Sequence, residues 1–156
     1  MPTLEQQLDI YAQPAAVWSV LRDFGDVDKW APYMRRSRAT GSAKSGPGSS
    51  RVLHHFWGFR LVETATEWSE GKGFAFEVLG VPFPLADVHE TWEVGPSPNR
   101  ATVTTRVRYR VRLGKLGELI DRAIIRFLVR REMQSGLRGL KQYVESGTHS
   151  VAEGDR

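Results

Sequence analysis

One carboxylate in this sequence falls on a predicted strand face that is otherwise apolar. Side chains two residues apart in a strand point to the same side. In the predicted strand over residues 87–94, one side therefore carries Val88, Glu90, Trp92 and Val94. An unpaired buried carboxylate is costly. We therefore expect Glu90 to be paired with an arginine or a hydroxyl, to have a raised pKa, or to contact a polar group of a ligand. Structural pairing is the commoner outcome, and Glu90 is kept as a catalytic candidate.

Two histidines offer acid or base chemistry near neutral pH. His54 and His55 are adjacent on a predicted strand, so they point to opposite faces and cannot bind one metal ion together. Whichever one faces inward could transfer protons, although a hydrogen-bonded structural histidine is the commoner case. The catalytic residues stay unassigned beyond the candidates Glu90, His54 and His55.

Several chemistries lack the residues they need. The chain has no cysteine, which excludes disulfides, thiolate nucleophiles and cysteine-ligated metal centres. It has no Gly-x-Ser-x-Gly elbow and no glycine-rich phosphate motif. The sequence predicts no metal site and no cofactor.

Aromatic side chains are more numerous than the core of a small sheet-and-helix domain requires. An apolar pocket with few polar groups is typical of small-molecule sites. For any single member a place in the core is the better expectation, but as a set they predict a pocket. The predicted ligand-binding residues are Trp30, Tyr33, Phe56, Phe59, Phe74, Phe76, Phe83, Glu90, Trp92, Tyr109 and Phe127.

The elements that must position these residues follow from periodicity and turn signals. Alternation predicts a strand over residues 4–10, and Pro14 opens a short helix that Gly25 ends. A second helical turn follows at residues 26–30, and a strand could begin at residues 38–41. Five further strand-like runs, joined by short turns that require antiparallel pairing, are 51–57, 59–68, 74–79, 87–94 and 101–111.

Residues 115–146 contain no proline and predict one helix of about 30 residues that closes at Gly147. The second half has a narrow apolar stripe, whereas the first half is apolar almost all round and needs a second apolar neighbour. That neighbour could be a ligand, a loop lid or another subunit. We expect one domain over residues 1–147 and a flexible tail over residues 148–156.

Composition indicates a water-soluble, cytoplasmic protein of one domain. The chain has 156 residues, no apolar run near the ~20 residues of a membrane span, and no signal-like N-terminus. Its net charge is +4. Two arginine rows, Arg106 to Arg112 at alternate positions and Arg122, Arg126 and Arg130, are interpreted as solvated faces paired with Glu63, Glu67 or Glu93. Binding to RNA, a ribosome or an anionic membrane is the less favoured alternative, and no DNA partner is predicted.

The order of elements and several local motifs resemble the START/Bet v 1-like (SRPBCC) superfamily, and within it the polyketide cyclase/dehydrase-like group. The matching residues are Ala12, Pro14, Val17 and Trp18, then Asp23-Phe24-Gly25 and Trp30-Ala31-Pro32, the acid Glu63, and Gly136-Leu137 with Leu140-Lys141. Gln13 departs from the pattern, because proline more often follows the alanine directly. The likeness covers about residues 4 to 146.

This resemblance implies an α+β helix-grip fold. A curved antiparallel sheet of about seven strands would wrap around the long C-terminal helix, with two short helices after the first strand. It also implies that a small hydrophobic polyketide-, aromatic- or lipid-like ligand is bound between sheet and helix, and cyclase or dehydrase activity is one function that the resemblance implies. The alternatives are a non-catalytic lipid or quinone carrier or sensor, and a basic interaction module with a filled core. Whether the chain is an enzyme, and its oligomeric state, stay open.

Overall fold

A single seven-stranded antiparallel sheet forms the body of the protein, with strand order β1-β7-β6-β5-β4-β3-β2. The computed structural model describes residues 1–96 and 100–153. Every strand pairs with its neighbour through backbone hydrogen bonds, so the predicted antiparallel order is confirmed. The strands are β1 Thr3–Ile10, β2 Met34–Thr40, β3 Ser50–His55, β4 Arg60–Ser69, β5 Gly73–Leu79, β6 Leu85–Gly95 and β7 Ala101–Val111.

Two short helices connect β1 to β2 across one face of the sheet. Helix α1 spans Pro14–Arg22, with the proline in its first turn as predicted, and a 3-10 turn follows at Phe24–Lys29. Helix α1 thus ends before Gly25. That glycine has another use: a Cβ there would lie 2.8 Å from the Cβ of Ala39, so its absence lets the 3-10 turn approach β2.

The C-terminal part of the chain is one long helix with an irregular segment. Helix α2 (Gly114–Ile120) passes through a π-helical segment (Asp121–Ile125) into helix α3 (Arg126–Glu153). The long helix is confirmed, but its predicted end at Gly147 is wrong, because the helical backbone continues to Glu153. Of the predicted flexible tail, residues 154–156 lie outside the described residues.

Helix α3 packs closely over the sheet through one apolar stripe. Met133, Leu137, Leu140 and Val144 are all buried, as the sequence predicted for this half of the helix. Two glycines also let α3 approach the segment between the 3-10 turn and β2: a Cβ on Gly136 would lie 2.8 Å from the hydroxyl oxygen of Tyr33, and one on Gly139 would lie 2.0 Å from the carbonyl oxygen of Trp30.

This architecture is the predicted α+β helix-grip fold. The inward faces also follow the predicted alternation: Val103, Thr105, Val107 and Tyr109 of β7 are buried, as are Phe76 and Trp92. Within residues 1–96 and 100–153, no helix has the length and apolar character that a membrane crossing needs.

Candidate functional site

A cavity of about 850 Å³ lies between the sheet and the first half of α3. This volume falls in the range of small-molecule sites. We place its mouth among the β3–β4 loop, the β5–β6 loop and α3, because the lining residues of all three are partly or fully exposed: Phe56, Trp57, Phe59, Val81, Pro82, Phe83, Pro84, Leu128, Val129, Arg131 and Glu132. The interaction-module alternative assumed a filled core, and the cavity contradicts that assumption.

The deeper walls of the cavity are mainly apolar. Trp30 and Trp92 meet edge to face with ring centroids 5.3 Å apart. Strand residues Phe76, Val78, Val88 and Val107 form the sheet side, and Ile125 and Met133 form part of the helix side. Because these strand and helix side chains have no hydrogen-bonding groups, they favour contact with the apolar part of a ligand.

Nine of the eleven residues predicted to bind a ligand line this cavity: Trp30, Tyr33, Phe56, Phe59, Phe76, Phe83, Glu90, Trp92 and Tyr109. Phe74 does not line it; its ring packs against Trp18, Phe24 and Trp68 and also contacts Phe76, which does line the cavity. Phe127 does not line it either, and 65% of it is exposed on the outer side of the helix. That the nine bind a ligand stays a prediction.

Glu90 lines the cavity with a carboxyl group that is only partly hydrogen-bonded. Its Oε1 accepts a hydrogen bond from Trp92 Nε1 at 2.6 Å and a longer one from the Thr105 hydroxyl at 3.4 Å. Its Oε2 has no hydrogen-bond partner among the described residues. Burial, reinforced by the nearby Glu63 carboxylate, raises the pKa of Glu90 to about 8. At neutral pH the group is therefore mostly a neutral acid with a proton to donate.

A buried ion pair, Arg51 with Glu63, lies in the cavity wall. Arg51 Nη2 is 2.6 Å from Glu63 Oε2, and Arg51 Nη1 donates to the Phe24 carbonyl oxygen at 2.7 Å. The guanidinium also lies 3.8 Å from the Phe24 ring centroid. Burial raises the pKa of Glu63, while Arg51 opposes that rise. Arg51 therefore satisfies this inward carboxylate rather than Glu90.

The sequence interpretation placed Glu63 on the solvated face as a partner of the arginine rows, which is wrong. Arg51 was not singled out. The alternation that located Glu90 applies here too: Arg51 shares a strand face with Leu53 and His55, all three of them buried. The strand register brings the two charged side chains together, because Arg51 and Glu63 are directly opposite on β3 and β4.

His55 is the histidine that faces the cavity. Its Nδ1 accepts a hydrogen bond from the Trp57 backbone N–H at 3.1 Å, so in the neutral ring Nε2 carries the proton and donates it to Glu132 at 3.2 Å. The ring stacks on Phe59 with centroids 4.3 Å apart. His54 points to the opposite, exposed side and borders a separate hollow with Arg36 and Arg38. His54 therefore does not line the cavity.

Tyr109 lines the cavity and is bonded to the π-helical segment. Its hydroxyl donates to the buried carboxylate of Asp121, which also lies 2.7 Å from Arg126 Nη2. Burial, with the Asp121 hydrogen bond second, raises the pKa of Tyr109 above its usual range, and burial raises that of Tyr33 as well. Asp121 was missed because its partner Tyr109 is brought close only by the fold.

The arginine row on β7 is a partly paired surface. Arg106 lies 3.0 Å from Glu93, and Arg110 lies 2.6 Å from Asp87. Glu93 is thus one of the predicted partners, whereas Glu67 has no ion-pair partner in residues 1–96 and 100–153. In the same residues no three histidine, aspartate or glutamate side chains are grouped as a metal site.

Comparison with known proteins adds a family and a fold. The family model described as "Polyketide cyclase / dehydrase and lipid transport" matches residues 1–145. No curated protein matches the sequence.

Solved structures share the fold at low sequence identity. The Zhui aromatase/cyclase from Streptomyces sp. R1128 is 16% identical, with a TM-score of 0.78 over 92% of this chain and 93% of that one. A START superfamily protein from Mycobacterium smegmatis is 12% identical, with a TM-score of 0.74 over 92% and 97%. A protein from Thermobifida fusca is 22% identical, with a TM-score of 0.75 over 92% and 93%.

Proposed function

The chain belongs to the polyketide cyclase/dehydrase and lipid transport family of the START/Bet v 1-like superfamily, and from this membership we propose that it binds a small hydrophobic ligand in its cavity. The observation that carries the proposal is the volume of about 850 Å³ between sheet and helix, walled mainly by apolar and aromatic side chains. Such a space suits an aromatic, polyketide-like or acyl compound of ordinary small-molecule size.

The polar end of the cavity supports a more specific ligand class. A neutral Glu90 carboxyl donates a hydrogen bond from its free oxygen, and a carbonyl oxygen is the acceptor that a largely apolar ligand would bring. Arg51 is already occupied by Glu63, which leaves little positive charge for a ligand carboxylate. We therefore propose a ligand that is apolar overall and carries at least one keto or quinone oxygen.

Two aromatic probes of the same ring skeleton test this proposal. Anthraquinone has two carbonyl oxygens and anthracene has none, so their ability to displace a fluorescent apolar dye from the cavity measures the value of a carbonyl. The wild type should prefer anthraquinone by roughly threefold to tenfold, the worth of one neutral hydrogen bond. Glu90→Ala should abolish that preference, and Glu90→Gln, whose amide N–H still donates, should keep it.

The pH dependence provides the control. In the wild type the preference should fade as pH rises past about 8, where Glu90 ionises, and in Glu90→Gln it should not change. A dye that is not taken up at all would contradict the cavity proposal itself. A preference that survives in Glu90→Ala would contradict only the role of Glu90.

A catalytic version of the same site is the second candidate. A carboxyl group with a pKa near 8 can donate a proton to a carbonyl oxygen while the enol carbon of a flexible substrate, folded by the cavity walls, attacks that carbonyl carbon and closes a ring. The resulting Glu90 carboxylate then takes up the enol hydroxyl proton, which restores the acid. Incubation of the protein with a flexible polyketone, followed by mass spectrometry and chromatography of the recovered compound, separates the two. A carrier returns the compound unchanged, whereas an enzyme returns a cyclised or dehydrated product at a rate that Glu90→Gln reduces.

A further inference from the structure

Exposed apolar side chains gather at the end of the molecule where the cavity opens. The β3–β4 and β5–β6 loops and the start of α2 all lie at this end of the antiparallel sheet. The Arg112 backbone N–H donates to the Pro84 carbonyl oxygen at 2.9 Å, which ties the approach to α2 to the β5–β6 loop. Seven large side chains here are more than half exposed: Phe56, Trp57, Phe83, Leu116, Leu119, Ile124 and Phe127.

Positive charge surrounds these apolar side chains. Residues 112–131 contain six arginines and lysines and only two acids, Glu118 and Asp121, which gives this segment a net charge of +4. Asp121 is buried and paired with Arg126, so it contributes little to the outer surface. Arg112, Lys115, Arg122 and Arg130 are exposed and have no ion-pair partner among the described residues. A surface with leucines and aromatic rings among unpaired cations is therefore presented to the surroundings.

We infer that this end of the molecule docks onto an anionic lipid bilayer, with the mouth of the cavity facing the membrane. Aromatic and leucine side chains enter the interfacial region, and arginines and lysines interact with anionic headgroups around them. A second copy of the chain is a poorer occupant, because the symmetric contact would bring two segments of charge +4 together. Ligand exchange through the mouth rests on the proposed function, but docking itself does not.

Vesicle co-sedimentation tests the electrostatic part. We expect the wild type to bind vesicles of phosphatidylcholine and phosphatidylglycerol in a roughly 7:3 ratio, and to lose most of that binding in pure phosphatidylcholine or in about 1 M salt. Lys115→Glu with Arg122→Glu should weaken binding by at least about tenfold. Lys44→Glu with Lys72→Glu is the matched control, because both lysines are exposed at the other end of the sheet.

A single substitution tests the apolar part. Leu119→Ser should reduce vesicle binding severalfold even at low salt, whereas Tyr143→Ser, an exposed apolar residue away from the mouth, should not. Equal loss in both charge-reversed proteins, or binding that is indifferent to phosphatidylglycerol, would overturn the inference. So would a stable dimer that does not bind vesicles, since it would assign the surface to a second copy.

Dye binding without vesicles keeps the two proposals separate. Lys115 and Arg122 do not line the cavity, so their reversal should leave dye uptake unchanged, which also shows that the variant folds. Vesicle binding without dye uptake would contradict the proposed function and support docking. Dye uptake without vesicle binding would do the reverse.

Discussion

Glu90 couples the stability of the fold to pH. Its pKa is about 8 in the folded protein against 4.5 for an ordinary glutamate, so the folded state retains a proton that the unfolded chain releases. The contribution of Glu90 to the free energy of unfolding should therefore be fully present below about pH 4.5 and should be lost as pH rises to about 8. Each unit of difference between the two pKa values corresponds to about 1.4 kcal/mol.

Denaturation of the wild type and Glu90→Gln across this range isolates the effect. Because glutamine does not ionise, the variant should gain stability relative to the wild type between about pH 4.5 and pH 8, and the difference should level off above that. A difference that stays constant with pH would show that Glu90 keeps an ordinary pKa in the fold.

Arg51 and Glu63 predict a large cost when only one partner is removed. Both are buried, so Arg51→Met should leave an uncompensated carboxylate in the cavity wall and cost about 3–5 kcal/mol of unfolding free energy. Arg51→Met combined with Glu63→Leu should recover much of that loss. The measurement is chemical denaturation, with Arg22→Met as the matched control.

Arg22 forms a similar ion pair with Glu70, but both side chains are more than half exposed. Breaking that pair should cost less than about 1 kcal/mol. Comparable losses in Arg51→Met and Arg22→Met would mean that the inner pair is accessible to water and contributes as a surface pair does.

Single residues show how far the sequence alone could predict this site. Glu90 was found because one carboxylate interrupts an apolar alternation on its own strand. Arg51 and Glu63 alternate in the same manner, but a charged residue among mixed neighbours equally fits a solvated face. The decision between the two depends on which strands pair and in what register, and that is long-range information.

At the scale of elements, the approach of α3 to the 3-10 turn depends on two glycines. Gly139→Ala would place a methyl group 2.0 Å from the Trp30 carbonyl oxygen, which cannot yield as a flexible side chain would. We expect a loss of about 1–3 kcal/mol in denaturation experiments. In Gly147→Ala the same methyl group would meet no atom within 4 Å, so helix propensity should instead add about 0.5–1 kcal/mol.

The contrast between these glycines is the check. If both alanine variants were stabilised, α3 would have room above the turn and the close packing described here would be wrong. Gly136→Ala should fall between them, because its methyl group would meet the Tyr33 hydroxyl, the end of a side chain, at 2.8 Å.

Element types were predictable because hydrophobic period and turn residues are local properties. The strands over residues 51–57 and 101–111 appear as Ser50–His55 and Ala101–Val111, and the long helix is present. Phe127 was predicted to line the pocket but is exposed, because a helix segment that is apolar almost all round does not show locally which of its sides meets the sheet. Phe74 was placed in the pocket because nothing local reveals that α1 and the 3-10 turn cover it.

At the scale of the molecule, the first two strands lie at opposite edges of the sheet. β1 pairs with β7 and β2 with β3, so the N-terminal strand joins the sheet only through β7, the last strand of the chain. The β2 edge carries exposed Arg35, Arg36 and Arg38, which discourage pairing with another sheet. Local stability should be similar across the sheet and lowest in helices that bury few side chains.

Hydrogen exchange should reveal this uneven stability. In α2 only Gly117 is buried, so its amides should exchange much faster than those of α3 around Leu137 and Leu140. Filling the cavity with anthraquinone should slow exchange in residues 80–85 and 125–132, which line it, and leave unchanged the end of the β1–β7 ladder where residues 8–10 pair with residues 101–103. Uniform slowing across the whole chain would instead indicate simple global stabilisation.

The π-helical segment changes the direction in which side chains point along the C-terminal helix. An extra residue within a turn advances every later side chain by about 100° relative to a regular helix. The apolar positions before Asp121 therefore lie on a different side of the helix from the stripe that begins at Met133. This allows α2 to stay exposed while α3 packs on the sheet. A chain lacking one residue between 121 and 125 would turn the side chains of α2 by about 100° relative to the stripe that begins at Met133, and would thereby change which of them face solvent.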